Sequence, residues 1–220
     1  MFSNIVSKIQ STSKLKQNLL VQVTDLFQLL EQSSLNLATK LTAACGPENQ
    51  VPLKVEKIND YEFVFQAGED VLVFILQSNI VRLSEETYLS KSKYLKSDPS
   101  LNYFGQILIY NFLGETIKNE RLDDPGYLLG RLMVNRENKF FLEGDRKMVY
   151  HFPELQDNPV TGQKMQDFVE LLVSAALDND LLAPAFGDIM IITYLQKLEH
   201  TSGMGHPKKI GFDSFAKNRQ

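Results

Sequence analysis

The chain has 220 residues, 43% of them hydrophobic and 23% charged, with a net charge of -4. That length suits one domain with appended helices better than two domains, and it allows a core large enough to need no staples. The acidic balance argues against a nucleic-acid protein, since such domains are usually basic. The single cysteine, Cys45, excludes an intramolecular disulfide and fits a reducing, cytoplasmic setting. No apolar run approaches the roughly 18 residues that a membrane-spanning helix needs.

Met1 to Thr24 contains Lys8, Lys14 and Lys16 and no acidic residue. The lysines interrupt it before any long apolar core, so it does not read as a secretory signal. Its acid-poor, serine-bearing character is that of a mitochondrial transit peptide, but no arginine precedes Arg82. The reading taken is a helix with a solvated basic edge. From Phe2 to about Gln32, Ile5, Ile9, Leu19, Val23, Leu26 and Leu30 recur at helical spacing. The tract Gln10 to Lys14 is an expected break, and Ser33-Ser34 a second; Leu35, Leu37, Leu41 and Ala44 then continue as helix until Gly46-Pro47. Leu19, Val23, Leu26 and Leu30 form a narrow seam whose spacing suits helix pairing. These four are the candidate partner-binding residues, for self-association or for another protein.

Strand periodicity follows. Val51, Leu53 and Val55 alternate with polar residues, then Tyr61, Phe63, Phe65 and Ala67 alternate after an Asn59-Asp60 turn. Val71 to Leu76 is continuously apolar, as a central strand covered on both faces would be. Ile80 to Leu83 extends it past an interruption at Gln77-Ser78-Asn79. Ser84 to Ser100, rich in Ser and Lys, reads as an excursion between two halves of a sheet, with Ser84 as an N-cap. The stretch Tyr103 to Phe152 then holds 9 of the 22 aromatics in a meander pattern. Its expected strands are Ile107 to Leu113, Tyr127 to Val134, Lys139 to Glu143 and Lys147 to Phe152. Thr161 is the expected N-cap of a helix from about Gln163 to Leu177, with Met165, Phe168, Val169, Leu172, Ala175 and Ala176 on one face. Leu181 to Phe186 is expected to be irregular, and Asp188 to His200 helical, although Ile189, Ile191 and Ile192 also favour strand.

Chemical signatures in the chain are sparse. His151, His200 and His206 show no zinc-ligand spacing, and there is no Cys-x-x-Cys, nucleophile elbow or phosphate loop. His151 reads as an ordinary strand histidine and Cys45 as a buried or half-buried structural thiol. Asp124, Glu143, Asp145 and Lys147 resemble the acid, acid, x, lysine arrangement of divalent-metal nucleases, in which carboxylates hold Mg²⁺ and lysine steadies the attacking water. Two polar hairpin ends account for the same residues. Arg131, Arg136, Lys139, Arg146 and Lys147 lie near Phe140 and Phe141, as in a stacking platform, but Glu137, Glu143 and Asp145 dilute the charge.

The expected fold is α+β: a mainly antiparallel sheet of about six or seven strands, covered by N-terminal and C-terminal helices. The expected organisation is a helical segment over 1–45, a globular domain over 46–202 and a mobile basic tail over 203–220. Val55, Phe63, Phe65, Val73, Ile75, Ile107, Ile109, Leu132, Phe140, Leu142 and Tyr150 are the expected inward residues. The expected function is that of a non-catalytic protein–protein interaction component, an adaptor, chaperone-like or assembly subunit, without a cofactor or bound metal. A divalent-metal nuclease or hydrolase is the alternative.

Overall fold

A computed structural model describes residues 1–144, 146–179, 190–191 and 193–201, apart from the side chains of Lys147, Gln196, Glu199, His200 and Thr201. Leu181 to Phe186, His206 and the tail over 203–220 lie outside the described residues. The chain begins with helix α1 (Phe2–Lys8), a π-turn (Ile9–Ser13) and helix α2 (Lys14–Cys45). The polar tract expected to break the helix is this π-turn. It inserts extra backbone without ending the helix, and the Ser11 hydroxyl donates back to the Ser7 carbonyl at 2.8 Å. Ser33 and Ser34 do not interrupt α2; both are buried, and Ser33 donates to the Leu29 carbonyl at 2.8 Å. Gly46, at φ +78°, ends the helix as a residue free of a Cβ penalty.

Six strands form one antiparallel sheet in simple sequential order: β1 (Leu53–Asn59), β2 (Glu62–Ala67), β3 (Asp70–Arg82), β4 (Tyr103–Leu113), β5 (Tyr127–Asn135) and β6 (Phe140–Gly144). The expected interruption within β3 is a register shift between Gln77 and Val81, after which pairing with β4 resumes at Val81–Phe104 and Arg82–Tyr103. The excursion from β3 to β4 contains a 3-10 turn (Tyr88–Lys91), helix α3 (Lys93–Ser97) and a second 3-10 turn (Pro99–Asn102). Ser92 caps α3 and Asp98 caps the second turn. Helix α4 (Gly114–Lys118) follows β4.

One expected strand is a helix. Lys147 to Phe152 falls largely in α5 (Arg146–His151). The reason lies in what is buried. Met148 and Phe152, four residues apart, are 0% and 5% exposed, whereas Tyr150 between them is 88% exposed. Helical spacing brings the first pair to one side and turns the third away; strand spacing would have buried all three. Tyr150 is therefore not a core residue, and His151 is exposed at a helix end. Helix α6 (Gly162–Leu177) is capped by the Thr161 hydroxyl, which accepts from the Lys164 N–H at 3.2 Å. Helix α7 (Tyr194–Thr201) covers the later part of the run from Asp188.

The front of the sheet carries Phe63, Phe65, Leu72, Phe74, Ile107, Ile109, Leu132, Phe140 and Leu142, all buried in one core with α2 and α6. Val55 packs at the margin of that core. On the back, Leu89, Leu95 and Leu101 of the excursion cover Phe104, Met133 and Phe141, while Val64, Val71 and Val73 cluster with Ile75 and Phe112. Phe112 lies against Gly126, where a Cβ would sit 2.2 Å from the ring. Helix α2 approaches the front closely at Gly105: a Cβ there would lie 2.6 Å from Val23 Cβ and 2.9 Å from Cγ1.

Two stability outcomes follow from this packing. Phe140→Ala should cost about 3–5 kcal/mol, the range for a buried aromatic, whereas Tyr150→Ala should leave the urea midpoint nearly unchanged. Equal losses at both positions would restore the strand reading. Gly105→Ala should destabilise by roughly 1–3 kcal/mol through overpacking, and Val23→Ala in the same chain should recover part of that loss. Urea titrations of the single and double variants would measure both.

Candidate functional site

Polar side chains converge where three remote segments meet: the tip of the β5–β6 hairpin, the excursion and the π-turn. The hairpin tip is organised by Asn135, which is fully buried. Its side-chain oxygen accepts from the Glu137 and Lys139 N–H groups at 3.0 and 3.2 Å, and Asn138 adopts φ +58° to close the turn. The Asn135 amide donates to the Tyr94 hydroxyl at 2.9 Å, and that hydroxyl donates to Glu137 at 2.8 Å. Lys139 lies 4.8 Å above the Tyr94 ring. Burial, together with the Glu137 carboxylate that takes its proton in a hydrogen bond, pushes the Tyr94 phenol up to about 12.

Arg136 makes the second link, donating to Asp98 at 2.6 Å. Asp98 also accepts from the Ser100 hydroxyl at 2.6 Å and the Ser100 N–H at 2.8 Å. These two donors from Ser100, and secondarily the Arg136 guanidinium, hold its carboxyl below the ordinary carboxylate range. The Arg136 carbonyl in turn accepts from Gln22 of α2 at 3.2 Å.

Beside these links lies an open groove of about 480 Å³. Ser11, Thr12 and Leu15 form one wall, Arg82 and Tyr103 another, and Asp98, Pro99, Ser100 and Arg136 complete it. Lys16 lies 5.4 Å from the Tyr103 ring centroid. Among the described residues, the acid nearest Arg82 is Glu85, at 3.9 Å, beyond hydrogen-bond reach. The groove thus gathers two guanidinium groups, hydroxyls and the Asp98 carboxylate in a chain that is acidic overall.

Of the residues singled out in the sequence, Arg136 lines the groove, whereas Asp124 and Glu143 lie elsewhere. Asp124 is buried, accepts from the Thr116 hydroxyl at 2.6 Å and lies 3.5 Å from Arg121. Glu143 pairs across the strands with Arg131 on the back of the sheet. Asp145 and the Lys147 side chain lie outside the described residues. Among the described residues, no three His, Cys, Asp or Glu side chains are placed to hold a metal ion. Phe140 and Phe141 are buried on opposite faces of the sheet, so neither ring offers a stacking platform. Cys45 is exposed, not buried, because α2 has run past the sheet where it ends.

The seam Leu19, Val23, Leu26 and Leu30 is 0%, 0%, 2% and 0% exposed, all within the chain's own core. The sheet itself occupies the face expected to meet a partner. Apolar residues of this helical segment that stay uncovered include Phe2, Ile5 and Ile9, with Met1, Val21 and Leu35, and no residue of α1 is buried. No helix among the described residues is long and apolar enough to cross a membrane.

No family model matches the chain, and no curated protein or solved structure shows significant similarity to it. The groove leaves little trace in the sequence because the segments that line it are separated by tens of positions. The only local signals were the polar tract that became the π-turn and the Asp98-Pro99 punctuation.

The Tyr94 link generates a pH dependence. A folded-state phenol raised from 10.0 to about 12 contributes stability that is fully present below the unfolded value and is lost as pH rises through this window. Alkaline unfolding should therefore be steeper in the wild type than in Tyr94→Phe. Glu137→Gln should bring phenolate absorbance to a lower pH. Unchanged titration in that variant would remove Glu137 as a cause.

Proposed function

We propose that this chain is a non-catalytic protein–protein interaction component, an adaptor or assembly subunit acting in the cytoplasm, and that α1 and the π-turn present its docking surface. The observation that carries this reading is the exposure of Phe2, Ile5 and Ile9, at 80%, 51% and 58%, across α1 and the first residue of the π-turn, neither of which has a buried residue. Large apolar side chains at positions i, i+3 and i+7 of one helix form the anchor pattern of helix-in-groove recognition. The arm from Phe2 to Asn18 would extend about 25 Å at helical rise, enough for such a groove.

Charge supports the type of partner. Residues 1–24 carry three lysines and no acid. With a total of -4, the remaining residues 25–220 therefore carry -7. Two parallel arms would set like charges together, which disfavours arm-to-arm pairing. The fitting occupant is an apolar groove with an acidic rim on another protein.

Ile5→Asp with Ile9→Asp should leave the circular dichroism spectrum and urea midpoint unchanged, since neither side chain is buried. Affinity capture from the native host should be run with wild type and double variant side by side, followed by reconstitution with the purified partner. A partner that binds the wild type and loses at least about tenfold in affinity with the variant supports the reading. Equal binding by both chains would overturn it. Concentration-dependent mass in sedimentation would reassign the arm to self-association, and variant-sensitive binding to anionic vesicles would reassign it to a lipid surface.

A further inference from the structure

We propose that the groove between the π-turn, the ends of β3 and β4 and the tip of the β5–β6 hairpin is a binding site for a small phosphomonoester of about mononucleotide size. Shape is the first ground. The groove holds about 480 Å³, within the range of small-molecule sites and much more than a bare phosphate needs. The donors are the second. Arg82 at the end of β3 and Arg136 just after β5 both line it, and β4 lies between those two strands in the sheet. A guanidinium presents a planar fork of donors that matches phosphate oxygens. Arg136 uses one terminal nitrogen on Asp98, which fixes its position and leaves other N–H groups for a ligand. Arg82 reaches no hydrogen-bond acceptor among the described residues.

The hydroxyls form the third ground. Thr12 and Tyr103 bring hydroxyls to the same space; Ser11 and Ser100 also line it, their protons directed to the Ser7 carbonyl and to Asp98. A dianionic phosphate with three terminal oxygens can accept from these two hydroxyls and both guanidiniums at once, whereas a carboxylate has only two oxygens; the Asp98 carboxylate that shares the lining is already paired with Arg136. Leu15, Pro99 and the Tyr103 ring provide an apolar wall for the remainder of the molecule. The π-turn places Ser11 and Thr12 at the groove by inserting extra backbone in an otherwise regular helix, a device common at functional sites. The polar tract is thereby explained as part of a site rather than as a helix break. Ser11, Thr12 and Leu15 lie in the arm, but its docking anchors Phe2, Ile5 and Ile9 do not line the groove.

Calorimetric titration of the full chain with adenosine monophosphate and with glycerol phosphate tests it, with adenosine as the phosphate-free control. Saturable binding of adenosine monophosphate, with adenosine weaker by at least about tenfold, is expected. Arg82→Gln and Arg136→Lys should each weaken it by about tenfold or more, the second because lysine lacks the fork. Amide shifts on titration of the wild type should centre on Ser11, Thr12 and Ser100, a readout independent of how any variant folds. No saturable binding of either phosphate would overturn the assignment. So would equal binding of adenosine, unchanged affinity in Arg82→Gln, or amide shifts confined to other surfaces. A phosphoserine peptide that binds more tightly than adenosine monophosphate would overturn the small-molecule reading and make the phosphate a partner protein's.

Discussion

The fit of Val23 over Gly105 is the contact on which the remaining architecture depends. A helix that rests on a sheet is usually held off by side chains on both surfaces. Here one strand residue has no side chain, and Val23 fills the space where a Cβ would be. That close approach sets the depth at which α2 lies, and with it the burial of Leu19, Leu26, Phe27 and Leu30 on either side. It also determines where α2 leaves the sheet. Before Leu19 the helix leaves the core: Thr12 and Leu15 are half-buried beside the groove, and no residue of α1 or the π-turn is buried.

The back of the sheet is closed by different means. The excursion between β3 and β4 has little regular structure, yet it contributes Leu89, Leu95 and Leu101 to a compact cluster over Phe104, Met133 and Phe141. Polar links hold its outer edge: Tyr94 to Asn135 and Glu137, and Asp98 to Arg136. Exposed ion pairs such as Arg136–Asp98 add little to stability. Their effect is positional, because they fasten the excursion to the hairpin tip and so fix the floor of the groove.

The arm and the groove share a root. Ser11 and Thr12 belong to the π-turn that joins α1 to α2 and also line the groove. The same insertion therefore ends the docked part of the helix and opens a polar site beside it. Asp124 and Glu143 serve the fold in different places: the first ties the loop before β5 to α4 through Thr116, and the second pairs neighbouring strands through Arg131.

Much of the fold was legible in residue order because it depends on local periodicity. Alternation marked β2 and the meander strands, the apolar run from Val71 to Leu76 marked a central strand, and Thr161 marked the start of α6. The α+β class and the antiparallel sheet follow from such patterns, with short turns joining β1 to β2, β2 to β3 and β5 to β6 and longer connections joining β3 to β4 and β4 to β5. Tertiary structure decided the rest. The segment around Met148 has both strand-like composition and helical spacing, and only the position of the front core selected the helix. The seam from Leu19 to Leu30 is equally suited to a sheet or to a second helix, because burial free energy does not depend on whose surface does the burying. The groove was invisible in one dimension: Thr12, Arg82, Asp98 and Arg136 carry no mutual spacing signal, and only strand pairing and helix docking bring them to one place.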